Sequence, residues 1–232
     1  MKRATSKAFI PHGGIIGILL IAWPLAWLAG AVPASSNGVK NQPVIRVEVH
    51  NYAQIERTKL HEAERQAANL FAMAGVRIAW LNHSRKRGPR LTMLERSNAD
   101  FSVRIVYAFM IKRMRRASEA NALGESTVPW GSNEPTPGGI ANVFYDRVKE
   151  VSTRWDLFPG EVLGDAIAHE LGHLMLGVRH SSQGIMKASW NSRDLHLASR
   201  GKLQFLSAQT AQLQHAVLEL HAESSPMVLA RR

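Results

Sequence analysis

His169-Glu170-Leu171-Gly172-His173-Leu174-Met175-Leu176-Gly177-Val178-Arg179-His180, with Met186 beyond it, is the stretch on which the reading of this sequence turns. His169 and His173 stand four residues apart. On an α-helix that spacing separates them by about 40° around the axis and about 6 Å along it. Their imidazoles can therefore converge on one ion from one face. Glu170 directly follows the first histidine, so its carboxylate points near the ion without having to bind it. That is the arrangement of a general base acting on a metal-activated water, whose pKa zinc brings to about 7. The competing reading is a surface helix that happens to carry two histidines. The apolar company of the motif speaks against it: Val162, Leu163, Ala166, Ile167, Ala168, Leu171, Leu174, Met175 and Leu176. A helix this apolar is buried, and buried His and Glu are satisfied or used.

A third histidine follows. Gly177 can end the helix in a left-handed turn, and His180, three residues on, can return beneath the metal. Three histidines and one water make the open four-coordinate site of catalytic zinc. Asp194 and His196 are the competing third ligands. Asp165, four residues before His169, reads as an exposed helix residue or as a partner for a ligand imidazole. Tyr145 and Trp190 read as core aromatics or as residues facing a cleft.

The run from His169 to His180 resembles the HExxHxxGxxH pattern of the metzincin zinc peptidases. Met186 falls where that family has a methionine turn beneath the metal; its other reading is a core methionine. The phrase His180-Ser181-Ser182 looks most like the matrixin and archaemetzincin branches, and the whole resembles an exported bacterial subgroup. The likeness is concentrated in Glu161 to Met186, about a ninth of the chain. One departure is plain. The Gly-x-x-His unit is set back by one residue, with Gly177 four and His180 seven after His173. An extra helical residue turns the exit by about 100° and moves it about 1.5 Å.

The resemblance implies a zincin-like α+β fold, α/β-like in its N-terminal part, with a mixed twisted sheet, an active-site helix and a C-terminal helix. It implies zinc held by His169, His173 and His180, with Glu170 as general base and then proton donor to the leaving amine. It also implies a peptide or protein substrate lying extended on an edge strand, which the sequence places near Asn142 to Tyr145. Two other functions share the spacing: a non-catalytic zincin-fold protein binding metal or envelope, and a zinc hydrolase of another amide bond.

Working outward, Val44 to Val49 alternates as a strand with Ile45, Val47 and Val49 on one side. Gln54 to Ala74 carries Leu60, Ala63, Ala67, Leu70, Phe71 and Ala74 at helical spacing and stops at Gly75. Val76 to Trp80 and Phe101 to Tyr107 read as further strands, and Ala141 to Tyr145 as a short β-prone segment. Gly131 to Gly139 must be a loop. Pro159-Gly160 sets a turn before the motif helix, Glu161 to Leu176. A last helix starts near Ser207 with Leu213, Val217 and Leu220 as its stripe.

The chain has 232 residues and a net charge of +11. Residues 1–34 read as a signal peptide: Lys2, Arg3 and Lys7, then an apolar run from Ile15 to Val32, then small residues. The alternative is an uncleaved membrane anchor. Either places the remainder, secreted or periplasmic, outside the cytoplasm. Residues 35–223 then form a single catalytic domain and 224–232 a tail. Without the first segment the charge is +8, from 26 basic and 18 acidic residues. Much of that excess lies in Arg85-Lys86-Arg87-Gly88-Pro89-Arg90 and Lys112-Arg113-Met114-Arg115-Arg116, which read as solvated loops or as a contact for an anionic surface. Nucleic acid is not the expected partner, because no aromatics interleave these runs. No cysteine is present, which excludes thiolate zinc sites and a cysteine nucleophile.

Overall fold

The computed structural model describes residues 42–81, 99–111, 122–128 and 137–223. The 1–34 segment, both basic runs, residues 131–136 of the glycine- and proline-rich loop and the 224–232 tail lie outside the described residues.

Strand β1, Val44–Asn51, buries Ile45 and Val47 completely, as its alternation requires. The following turn is tied by Asn51, whose side chain accepts from Ile55 N and donates to Ile55 O, both at 2.9 Å. Helix α1 therefore begins only at Arg57 and runs to Met73. Strand β2, Arg77–Leu81, lies parallel to β1. Strand β3, Phe101–Val106, pairs parallel with β1 on its other side. After a 3-10 turn at Ala108–Met110 come β4, Gly124–Thr127, and β5, Gly139–Phe144. The sheet order is β2-β1-β3-β5-β4, with β5 parallel to β3 and β4 antiparallel to β5. Four helices complete the set: α2, Tyr145–Trp155; α3, Pro159–Leu176; α4, Ser192–Ala198; and α5, Ser207–Glu223. The expected class holds: α+β, a mixed sheet, a helix carrying the histidine motif and a C-terminal helix. Among the described residues no helix is long and apolar enough to cross a membrane.

Two expectations are corrected here. The segment from Asn142 is not an edge: β5 lies inside the sheet, hydrogen-bonded to β3 on one side and β4 on the other. The edge is β4. Tyr145 is not in a strand but opens α2, whose alternation of Val148 and Ser152 inward with charges outward is helical.

One core joins these elements. Phe101, Val103, Ile105, Ala141 and Val143 line the covered face of the sheet, against Ala67, Leu70 and Phe71 of α1 and Leu163, Ile167, Leu171 and Leu174 of α3. Each large side chain buried here contributes about 1.5–3 kcal/mol. Leu213, Val217 and Leu220 of α5 close the core, and the Gln214 amide donates to Ala74 O at the end of α1 (2.9 Å). Thirteen of the eighteen residues of α3 are buried, so its polar groups had to find partners inside the protein.

Asp165 is one of them. It is 1% exposed, contrary to the expectation of an exposed helix residue, and its hydrogen bond runs to α1 rather than to a ligand imidazole. Its Oδ1 accepts from Gln66 Nε2 on α1 at 2.8 Å. Burial pushes its carboxyl up to about 7, against the lowering effect of the Gln66 bond, with Glu161 adding a small rise. A folded pKa above the unfolded one favours folding most at low pH, and that advantage is lost as pH rises from 3.8 through about 7. Asp165→Asn keeps the acceptor for Gln66 and removes the charge. Urea unfolding should therefore find the variant equal to the parent near pH 4 and more stable at pH 8, by up to about 4 kcal/mol. An equal midpoint at both pH values would show that Asp165 is not buried as a carboxylic acid.

Candidate metal centre

Helix α3 starts on Pro159, whose fixed φ suits a first helical position, and ends on Gly177 at φ +83°. That positive φ is what lets the chain turn back sharply, from His173 on the helix to His180 beyond it. The turn is closed from two sides. Gly177 N donates to His173 O at 3.0 Å, and His173 Nδ1 donates to Gly177 O at 2.9 Å. His169 Nδ1 likewise donates to Ile185 O at 2.7 Å.

Those two bonds decide the tautomers. A carbonyl oxygen only accepts, so Nδ1 carries the proton on both rings and each Nε2 keeps its lone pair. The Nε2 atoms of His169 and His173 face each other at 3.0 Å, and His180 Nε2 lies 3.2 Å from that of His173. The lone pairs of His169 and His173 repel at this distance unless a cation lies between them. A proton is disfavoured in that role: burial pushes His169 down to about 4, against the Ile185 bond, and His173 and His180 lower it further. His173 is pushed down too, chiefly by burial. A metal ion fits the donor set. Zinc–nitrogen bonds of about 2.0–2.1 Å in a tetrahedral arrangement put nitrogens about 3.3–3.4 Å apart. Three imidazoles suit zinc and the later transition metals rather than calcium or magnesium. Among the described residues, His169, His173 and His180 are the group that can hold a metal ion.

The rival third ligands are elsewhere. Asp194 closes the capping box of α4 with Asn191 and takes a 2.5 Å ion pair from Lys187. His196 bonds Ser192 O with Nδ1 and is exposed.

Met186 is fully buried under the motif. A Cβ on Gly172, between the two helix histidines, would lie 2.5 Å from Met186 Sδ, so only glycine lets the thioether approach. The loop carrying Met186 is pinned by Ser181 N to Met186 O and by Ile185 N to Gln204 O, both at 2.9 Å. Trp190 packs edge-on to His169, with ring centroids 5.8 Å apart, and its indole N–H donates to the same Ile185 carbonyl at 3.2 Å.

Glu170 is 5% exposed, and burial raises its carboxyl to about 7, opposed by the Ser126 bond and aided slightly by Glu125. Ser126, on β4, places its hydroxyl 2.5 Å from Glu170 Oε2 and 2.8 Å from Glu170 O. One hydroxyl proton serves one acceptor at a time. Ser126 donates to the carboxylate when Glu170 is ionised; when Glu170 is protonated, the acid donates to Ser126, which turns to the carbonyl. Gly124, two residues earlier on the same face of β4, touches the other side: a Cβ there would lie 2.8 Å from Glu170 Oε1 and 2.7 Å from Cγ. Sequence reasoning missed both residues. The only local signal was the short Gly-Glu-Ser-Thr run before the glycine- and proline-rich loop, too polar to announce a strand.

No family model matches the chain, and no curated protein matches it in sequence. Among solved structures it is similar to the archaemetzincin of Methanopyrus kandleri, at 16% identity and a TM-score of 0.45, over 77% of this chain and 98% of that one.

Proposed function

We propose that this chain is an exported zinc-dependent metalloendopeptidase. The observation that carries the proposal is the convergence of three imidazole Nε2 atoms beside a buried glutamate. In this reading His169, His173 and His180 hold the zinc. Zinc bound there would supply Lewis-acid chemistry, acidifying a water and polarising the amide carbonyl. Glu170 takes the proton of the attacking water on its carboxylate and returns it to the amine that leaves, so the residue ends each turnover as it began. Its burial suits that work, because desolvation makes the carboxylate a stronger base than an exposed glutamate. The half-buried His169 and His173 stay neutral and keep their lone pairs available.

The substrate would lie against β4 rather than β5, because β4 is the edge strand that touches Glu170 and an extended peptide adds to an edge through its backbone. Export rests on the charged, apolar, small-residue order of the first 34 residues. Contact with an anionic surface would fall to the runs from Arg85 and Lys112.

The test is cleavage of a mixed peptide library by the zinc-loaded protein, with products identified by mass. Internal cuts that stop on chelation support the reading. Bound zinc with no cut peptide would favour a binding protein. Cuts confined to amides of a cell-wall polymer would favour another hydrolase. Absence of bound zinc would remove the metal centre itself.

A further inference from the structure

We propose that Ser126, with Gly124 beside it, is the seat that fixes the Glu170 carboxyl, making Ser126 a positioning residue supplied by the edge strand. The inference rests on Glu170 being the proton-transferring group of an amide hydrolase.

A glutamate side chain has three rotatable bonds, and its position on α3 alone does not aim it. Proton transfer needs the carboxyl held within about 0.5 Å of the productive place. Ser126 meets that need with one atom. Its Oγ touches both the carboxyl and the main-chain carbonyl of Glu170, at 2.5 and 2.8 Å. The hydroxyl thus sits between the side chain and its own backbone, which narrows the rotamers open to the carboxyl. Gly124 completes the seat by what it lacks, since Oε1 and Cγ rest where a side chain at 124 would stand. Residues two apart on a strand share a face, so a Gly-x-Ser run on β4 presents clearance and donor together. The strand itself is held in register, Gly124 opposite Val143 and Ser126 opposite Ala141. His169 and His173 make their own bonds to Ile185 and Gly177 and do not depend on this seat.

The experiment compares the zinc-loaded full chain with Ser126→Ala, Ser126→Thr and Gly124→Ala. Zinc content, kcat and KM are measured on one peptide cut by the parent, and the infrared band of the Glu170 carboxyl is assigned by difference from Glu170→Gln. A 1 Å misplacement lowers rates about 100-fold. Ser126→Ala should therefore lose about 10- to 100-fold in kcat with KM and zinc content held, and its carboxyl band should shift. Ser126→Thr, which keeps the hydroxyl, should recover most of the rate. Gly124→Ala should lose kcat with the hydroxyl intact. Parental kcat in Ser126→Ala, or an equal loss in Ser126→Thr, overturns the seat. If the parent binds zinc but cuts nothing, the peptidase reading fails, and the infrared band still decides the seat: a shift in Ser126→Ala supports it and an unmoved band overturns it.

Discussion

Glu170→Gln is expected to bind zinc as the parent does and to lose about 10²–10⁴-fold in kcat, the range that a positioned general base contributes. The amide has the shape of the carboxyl and can still accept from Ser126, so the packing around residue 170 need not change. What it loses is basicity. In the parent, the Glu170 carboxyl is pushed up to about 7 by burial, and only its ionised form can accept a proton. Activity should therefore rise with pH through the folded pKa of Glu170, on an acid limb that bound zinc moves to lower pH by its positive charge. The residual activity of the variant should lack that limb. Metal analysis and a pH profile of kcat/KM check both halves. Equal cleavage by parent and variant would remove Glu170 from the reaction.

The parts of this site that could be read from the sequence are those set by local geometry. His169 and His173 share a helix face because they are four apart, and no tertiary contact is needed to know it. Gly177 announced the end of the helix, and its positive φ is what residue type alone suggested. The strand-helix-strand start followed from alternation and from the apolar stripe of α1. The residues that were not legible depend on pairing across the chain. Strand β4 has four residues and no apolar alternation, so it exists because β5 and α3 hold it, and Ser126 acquires its role only from that docking. Placing the edge at Asn142 failed for the same reason: β5 is as β-prone as an edge strand, and only its second neighbour shows it to be internal. Asp165 reads as a surface residue from sequence because a helix buried on nearly every side has no polar face by which to judge it. Asp194 carries a signal that is legible in the sequence. Asn191 followed three residues later by an acid is a capping-box pattern, and it assigns that carboxylate to a helix end rather than to a metal.

Removing a ligand histidine should separate the metal centre from the fold. His173 contributes one of the two convergent Nε2 atoms on α3 and is the one within reach of both partners, 3.0 Å from His169 and 3.2 Å from His180. Losing a residue that merely orients a ligand lowers metal affinity about 10–100-fold. Losing the ligand itself, in His173→Ala, should exceed 100-fold. His180→Ala should weaken binding as well, whereas Asp194→Ala should not, because Asp194 is engaged with Asn191 and Lys187 away from the cluster. The fold offers a second readout. Zinc at 100 times its Kd stabilises the native state by about 2.7 kcal/mol, which raises Tm by roughly 5–10 °C in a domain of this size. The parent and Asp194→Ala should show that rise, and His173→Ala should not. The variant should still fold without metal, because His173 is half-buried at the open end of α3 while the core residues Leu171 and Leu174 beside it keep their contacts. Calorimetric titration with zinc, with thermal melts beside it, checks both readouts. A zinc-dependent rise in His173→Ala equal to that of the parent would place the bound metal somewhere other than the three histidines.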